Sequence, residues 1–174
     1  MIEVELRSFI TRSKYVELLD FFMKNSESLG EDEQITYYFD GPSDLRIQKN
    51  STHSKVWLKK GKLHDEAREE IEVKCEKKDF HSLESLFLSL GYSISIKWFR
   101  KRHSFKWEGI TVTVDDTKGY GFIIELEKLC DEKGKDAALT SLKAAFLKLG
   151  IQITPKEEFD KAFQRYKLNW KALV

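Results

Sequence analysis

Charged side chains recur at every second position in several apolar segments of this 174-residue chain. The acidic members of the pattern are Glu3, Glu5, Asp115, Glu125 and Glu127, and the basic members include Arg46, Lys59, Arg100 and Arg102. If these side chains share one confined face, the five carboxylates need cations to neutralise them, and oxygen-rich clusters suit Mg²⁺ or Mn²⁺. The basic side chains in turn need an anion with several charges. A polyphosphate chelated to a metal ion satisfies both groups at once.

Strand alternation is the feature that would bring these charges to one face. Successive side chains of a strand point to opposite faces, so Glu3, Glu5 and Arg7 share one face while the apolar residues between them share the other. Seven predicted strands repeat this scheme. A two-layer sandwich with its charged face in water would explain any one of these strands. The separation of acids from bases, and the large number of strands, favour a sheet that curls into a barrel.

The remaining elements follow from periodicity and turn residues. Strands are predicted near 2–8, 34–40, 44–49, 54–60, 68–75, 92–107, 109–116 and 120–128, and helices near 12–29, 79–90, 135–149 and 156–172. Most connections are short, so the strands are expected to be mostly antiparallel. We therefore predict an α+β fold in which residues 1–174 form a single domain, a closed antiparallel β-barrel (a tunnel) of about eight strands with helices packed outside. The aromatic stripe of the last helix is expected to pack against the barrel, where that helix could close one mouth of the tunnel.

Composition narrows the setting of the protein. The chain has 30 Lys and Arg against 29 Asp and Glu, a net charge of +1, which argues against binding of extended nucleic acid. No segment approaches the roughly 20 apolar residues of a membrane helix, and the acidic, alternating N-terminus is unlike a signal peptide. Cys75 and Cys130 lack a metal-ligand spacing and are expected to be free thiols in a reducing compartment. We therefore expect a cytoplasmic protein with no membrane partner.

The order of several short motifs resembles a known family. Glu3-x-Glu5-x-Arg7 resembles the N-terminal Glu-x-Glu-x-Lys signature of the CYTH superfamily, the triphosphate tunnel metalloenzymes. The resemblance continues through Tyr38 to Asp40, Leu45-Arg46-Ile47, Trp57-Leu58-Lys59, Glu69-Glu70-Ile71-Glu72-Val73, Arg100-x-Arg102, Val114-Asp115 and Gly119-x-Gly121-x-x-x-Glu125-x-Glu127. One Glu-x-Glu is common in any strand, whereas this ordered set is fairly specific.

The resemblance implies a role for each charged residue. It assigns Glu3, Glu5, Glu125 and Glu127 to metal binding, Asp115 to metal binding or to positioning of a water molecule, and Arg7, Arg46, Lys59, Arg100 and Arg102 to phosphate binding. Arg7 and Asp115 are the predicted catalytic residues. Two departures from the family pattern are visible. Arg7 replaces a lysine, which exchanges a compact ammonium group for a planar guanidinium with several N–H donors. Gln48 stands where many members have a second arginine.

The family also implies the reaction. We predict a metal-dependent hydrolase of triphosphates that uses Mg²⁺ or Mn²⁺ and takes inorganic triphosphate, ATP or thiamine triphosphate, as a monomer or homodimer. A class IV adenylyl cyclase could use the same site, with a ribose hydroxyl attacking the α-phosphorus of ATP to give cyclic AMP and pyrophosphate. The charge pattern is also compatible with a non-catalytic module that binds polyphosphate or nucleotide, and with a purely structural barrel whose charges are solvated.

Overall fold

The computed structural model describes residues 2–59 and 70–174 of the chain. Its strands are β1 (Ile2–Ile10), β2 (Glu27–Phe39), β3 (Asp44–Lys49), β4 (His53–Lys59), β5 (Glu70–Glu76), β6 (Ile94–Trp107), β7 (Ile110–Thr117) and β8 (Gly121–Cys130). Its α-helices are α1 (Arg12–Asn25), α2 (Phe80–Ser89), α3 (Lys135–Lys148) and α4 (Lys156–Leu173), with single 3₁₀ turns at Lys77–Asp79 and Glu132–Gly134. The predicted α+β class and the predicted number of strands are confirmed.

All eight strands belong to one antiparallel sheet, in the order β1-β8-β7-β6-β2-β3-β4-β5. Strands β1 and β4 are six places apart in this order, which would separate them by about 29 Å in a flat sheet. Even so, Lys59 of β4 acts electrostatically on Glu5 of β1. The sheet therefore curls, and the face that carries both side chains is concave. Within residues 2–59 and 70–174 no backbone ladder joins the edge strands β1 and β5, so the curled sheet is not sealed by hydrogen bonds.

Two hydrophobic clusters cover the convex face of the sheet. In the larger one, α1 and α3 pack on the outward side chains of β1, β7 and β8; its fully buried members include Leu18, Phe22, Val112, Val114, Ile124, Leu126, Leu142 and Phe146. In the smaller one, Phe80 of α2 packs against Tyr37, Phe39 and Ile47 of β2 and β3. Phe105 and Trp107, predicted to lie under helices, have ring centroids 5.4 and 5.6 Å from that of Phe22 in α1. The apolar half of the alternating pattern is therefore the core of the protein.

The last helix covers one end of the concave face instead of the convex face. Phe159 stacks on Phe9 of β1, with ring centroids 4.3 Å apart. One and two turns further along α4, Phe163 and Tyr166 pack against Trp98 of β6, and the Tyr166 hydroxyl donates to the backbone carbonyl of Lys97 over 3.0 Å. The expectation that this helix packs on the sheet is confirmed, and it lies at one end of the charged face.

The first helix ends earlier than its sequence pattern predicts. Thr11 caps its start, because the hydroxyl oxygen accepts a hydrogen bond from the N–H of Lys14 over 3.2 Å. At the other end Ser26 is extended, and both its N–H and its hydroxyl donate to the carbonyl of Phe22. The prediction of helix to residue 29 is therefore wrong. The chain instead enters β2 at Glu27, since residues 27–33 pair with the long strand β6, a partner that local periodicity does not reveal.

Two further predictions concern the setting of the chain. Cys75 and Cys130 are free thiols, as predicted. Among the helices of residues 2–59 and 70–174, none has the length and apolarity that crossing a bilayer requires.

Candidate active site

The pairing of β1 with β8 brings most of the predicted acidic residues together. In the antiparallel register Glu5 lies opposite Glu127, and Arg7 lies opposite Glu125. Glu3, two residues before Glu5 on the same face, is exposed near the start of β1. We refer to Glu3, Glu5, Glu125 and Glu127 as the acidic cluster. Residues opposite each other in adjacent strands share a face, so the register places this cluster on the concave face of the sheet.

Two members of the acidic cluster, Glu5 and Glu127, have pKa values raised above the ordinary value of a glutamate. Burial raises the pKa of Glu5, and the negative charge of Glu125 raises it further, although Arg7 opposes the shift. Burial likewise raises the pKa of Glu127, with the charges of Glu5 and Glu125 adding to the effect. An amino group of the Arg7 guanidinium lies 3.1 Å from a carboxylate oxygen of Glu5 and offsets part of the repulsion. The cluster thus carries an excess of negative charge that a bound cation would relieve.

Glu125 differs from its neighbours because it is tied to an arginine. One of its carboxylate oxygens accepts a hydrogen bond from Nη2 of Arg102 over 2.6 Å and another from the hydroxyl of Thr113 over 3.3 Å. Burial alone would raise the pKa of Glu125, but the positive charges of Arg102, Arg100 and Arg7 outweigh burial and lower the pKa to about 2. Glu125 is therefore charged at neutral pH, at the meeting point of the acidic and basic halves of the face.

Asp115 of β7 holds two arginines of β6 in place. Its Oδ1 accepts from Nε of Arg102 over 2.8 Å, and its Oδ2 accepts from Nη2 of the same side chain over 2.6 Å and from Nη1 of Arg100 over 3.3 Å. Only 1% of the Asp115 side chain is exposed. These contacts raise the pKa of Arg102 despite its burial, whereas burial and the charge of Arg102 lower the pKa of Arg100. Both oxygens of Asp115 are thus engaged by guanidinium groups.

The opposite wall of the concave face is built by β2, β3 and β4. The guanidinium of Arg46 forms a bidentate pair with Asp44, over 2.7 and 2.6 Å, and lies 4.2 Å from the centroid of the Tyr38 ring. Lys59 lies opposite Asp44 in the register of β3 and β4, and so on the same face. We refer to Arg7, Arg46, Lys59, Arg100 and Arg102 as the basic set. Its five members come from β1, β3, β4 and β6, and the curled sheet turns all of them toward one interior.

Three neutral or acidic neighbours of the basic set did not emerge from the charge pattern. The amide oxygen of Gln34 accepts from Nε of Arg100 over 3.0 Å and from Nη2 over 2.6 Å, and Asp44 binds Arg46. Gln48, the departure from the family pattern, donates to the hydroxyl of Thr36 over 2.9 Å. The predicted strand 34–40 places residues 34, 36 and 38 on one face. Alternation could therefore have located this face of β2, but the three side chains are uncharged and so did not stand out in a search for charged residues. Glu69, the first residue of one family motif, lies outside the described residues.

The acidic cluster has the donor chemistry for Mg²⁺ or Mn²⁺, which bind carboxylate oxygens. Two of its four members have raised pKa values caused by burial and like charge, which a divalent cation would reverse. In the described part of the chain, no three His, Cys, Asp or Glu side chains are already gathered around one point at metal-binding distance. The residues present therefore fit such an ion in chemistry and in location, and their side chains would have to converge to bind it.

Comparison with known proteins bears on the family and the fold of this chain. The CYTH domain family matches residues 1–161. "Putative adenylate cyclase MJ0240" of Methanocaldococcus jannaschii is 32% identical over 164 residues, which span 87% of this chain and 91% of that protein. A conserved hypothetical protein of Pyrococcus furiosus has a solved structure that is similar with a TM-score of 0.72 and 27% identity, covering 86% of this chain and 91% of that one.

A plant structure shares the fold at lower identity. It is that of HpAC1 from Hippeastrum, described as an adenylyl cyclase candidate that "reveals a dominant triphophatase activity", and it is 19% identical with a TM-score of 0.66, covering 94% of this chain and 95% of that one. At this identity the likeness concerns the fold alone. The match over residues 1–161, together with the opposed acidic and basic groups of the concave face, establishes that this chain belongs to the CYTH domain family.

Proposed function

We propose that this protein hydrolyses a triphosphate with the help of Mg²⁺ or Mn²⁺. The observation that carries the proposal is the division of one concave face into the acidic cluster and the basic set. Five cationic side chains from four strands match an extended anion with several negative charges. Four carboxylates on two adjacent strands match the cations that accompany such an anion. On a solvated surface these side chains would be exposed, whereas every member of the two groups except Glu3 is partly or fully buried.

The basic set would bind the phosphate oxygens. Arg102 and Arg100 lie on one wall and Arg46 and Lys59 on the other, so a linear chain of phosphates between them could contact both. Their present partners, Asp115 and Asp44, keep the guanidinium groups oriented within the interior. Guanidinium groups held in this way need little reorganisation when the anion arrives, and electrostatic stabilisation of this kind is a large part of catalysis by many enzymes.

The acidic cluster would hold the metal ion. When bound, a divalent cation neutralises charge on phosphate oxygens and lowers the pKa of a coordinated water molecule, which makes it a better nucleophile. Arg7 stands beside Glu5 and opposite Glu125, so we assign it to the phosphoryl group nearest the cluster, where it would offset the charge that builds up during bond cleavage. Asp115 we assign to the orientation of Arg100 and Arg102, since both of its oxygens bind them.

Phosphorus NMR tests this proposal directly. The wild-type protein is incubated with inorganic triphosphate and, separately, with ATP, each in the presence of Mg²⁺ or Mn²⁺. We expect release of orthophosphate, and a fall of about 100-fold or more in the Glu125→Gln variant. The control is Glu17→Gln, since Glu17 is exposed on α1 and pairs only with Lys14 in the described part of the chain. Binding of triphosphate without turnover would refute hydrolysis and indicate a binding module, and absence of both would refute any role in triphosphate binding.

An adenylyl cyclase is the second candidate. It is favoured by the name of the 32% identical M. jannaschii relative and by a cavity of about 400 Å³ near the end of the charged face. Phe9 and Tyr120 line the cavity with Glu158, Lys161 and Arg165 of α4, a mixture of rings and charged groups of both signs that could hold a nucleoside. In the cyclase reaction a ribose hydroxyl displaces pyrophosphate from the α-phosphorus of ATP. The appearance of pyrophosphate and cyclic AMP in the same NMR experiment would support this candidate over the hydrolase.

A further inference from the structure

Two buried polar side-chain atoms lack a hydrogen-bond partner in residues 2–59 and 70–174. They are the indole nitrogen Nε1 of Trp57 and the hydroxyl oxygen of Thr117. Buried polar groups in native proteins are almost always paired, so each orphan needs an explanation. Both belong to the concave face, because Trp57 lies opposite Arg46 and Thr117 lies opposite Arg100 in the strand registers. Both unpaired atoms therefore belong to residues on the same face as the basic set.

The surroundings of Trp57 identify the chemistry of the missing partner. Nζ of Lys55 lies 4.5 Å from the centroid of the Trp57 rings, and Cζ of Arg46 lies 5.7 Å away. Lys59 follows two residues later on the same face of β4. The indole N–H is a donor and nothing else. Lys55 is paired with Glu72 over 2.6 Å and Arg46 with Asp44, so the atom of this group that lacks an acceptor is the indole nitrogen. An anion attracted by the neighbouring cations would bring an acceptor oxygen to it.

We infer that the indole N–H of Trp57 donates a hydrogen bond to a phosphate oxygen of the bound polyphosphate, which makes Trp57 a further substrate-binding residue. The inference rests on the proposed function, since it concerns the same interior. The indole ring, only 5% exposed and flanked by two cations, holds the donor in a fixed direction. A neutral donor of fixed direction selects for the position of an oxygen, whereas the flexible Lys55 and Lys59 select mainly for charge.

Nitrogen-15 NMR of the indole groups tests the inference without any turnover. The chain has four tryptophans, so four indole N–H signals are expected, and the one missing in Trp57→Phe is assigned to Trp57. Inorganic triphosphate is then added to the wild-type protein, first without metal and then with Mg²⁺. We expect a downfield shift of the Trp57 signal that saturates with the binding isotherm measured by calorimetry. Pyrophosphate and orthophosphate serve as shorter anions for comparison.

The matched variants separate binding from folding. Trp57→Phe keeps a ring and removes the N–H, and we expect it to bind triphosphate about 10- to 100-fold more weakly. Its stability without ligand should be unchanged or higher, because it no longer buries an unpaired donor. The control is Trp107→Phe, a buried tryptophan that packs on Phe22 at the convex face. It should lose stability and keep its affinity for triphosphate.

The outcomes distinguish failure of the inference from failure of the function. If triphosphate binds to the wild-type protein while the Trp57 signal stays in place and Trp57→Phe binds as tightly, the inference is overturned and the proposed function is not contradicted. If calorimetry detects no binding of triphosphate with or without Mg²⁺, the proposed function fails and the inference fails with it.

Discussion

Replacing Asp115 by asparagine tests how the basic set is held in place. The substitution preserves the shape of a side chain that is 1% exposed and removes its charge. Asparagine has one oxygen to accept from Arg102 or Arg100, and its amide hydrogens would face the other guanidinium donors. Two buried cations would then share Glu125 as their main remaining counter-charge. We therefore expect loss of stability in the absence of ligand, with retention of the fold.

The size of the effect follows from the contacts. Removing one partner of a buried ion pair costs about 3–5 kcal/mol. Both guanidinium side chains are 20% exposed and Arg102 keeps its bond to Glu125, so part of this cost is relieved by solvent and by the remaining carboxylate. We expect a loss of about 2–3 kcal/mol in the free energy of unfolding. For a chain of this size, that corresponds to a decrease of roughly 5–10 °C in the melting temperature.

Urea and thermal unfolding, followed by circular dichroism at low salt, measure this difference. The control is Asp116→Asn, which changes the next residue, whose side chain points to the other face of β7. Its free energy of unfolding should stay within about 0.5 kcal/mol of the wild-type value. Kinetics add a second readout, because we expect kcat for triphosphate to fall in Asp115→Asn while KM changes little or decreases. A variant that unfolds like Asp116→Asn and turns over normally would refute the role assigned to Asp115.

Three further predictions address other parts of the molecule. Glu127→Gln should raise the unfolding midpoint of the metal-free protein at pH 7, because it removes a buried like charge, and should reduce the stabilisation that added Mn²⁺ gives; an unchanged response to Mn²⁺ would contradict the assignment of Glu127. Gly119→Ala should destabilise the protein by about 2 kcal/mol or more by chemical denaturation, since its φ is +72° and the new Cβ would lie 2.5 Å from Cβ of Leu173 in α4. The control Gly109→Ala has a similar φ of +76° with open space around it, so it should cost about 1 kcal/mol, and equal losses would argue against the contact with α4. Tyr166→Phe should cost about 1 kcal/mol, because it removes the hydrogen bond to the carbonyl of β6 that helps to hold α4; loss of no stability would show that this bond contributes nothing net.

Strand alternation was enough to separate the two faces of the sheet. Glu3, Glu5 and Arg7 lie on one face of β1, and Val4 and Leu6 are buried on the other, as the pattern predicted. This could be predicted because side chains of a strand alternate between its two faces with a period of two residues, which depends only on the local backbone, and because burial of apolar side chains is favourable. The same local signals located seven of the strands within a few residues, the four helices, and the residue types from which metal and phosphate binding were predicted.

The partners of each strand were decided by the tertiary structure. Alternation places Glu127 on a charged face, but only the register of β1 with β8 puts it opposite Glu5, and only the register of β6 with β7 puts Asp115 opposite Arg102. Long-range pairing also turned residues 27–29 into strand, where local periodicity favoured helix. Such contacts join residues far apart in sequence, and their free energy depends on burial and charge that exist only once the sheet has curled. The sequence by itself therefore determined which residues could form the site, and the folded sheet decided which of them meet.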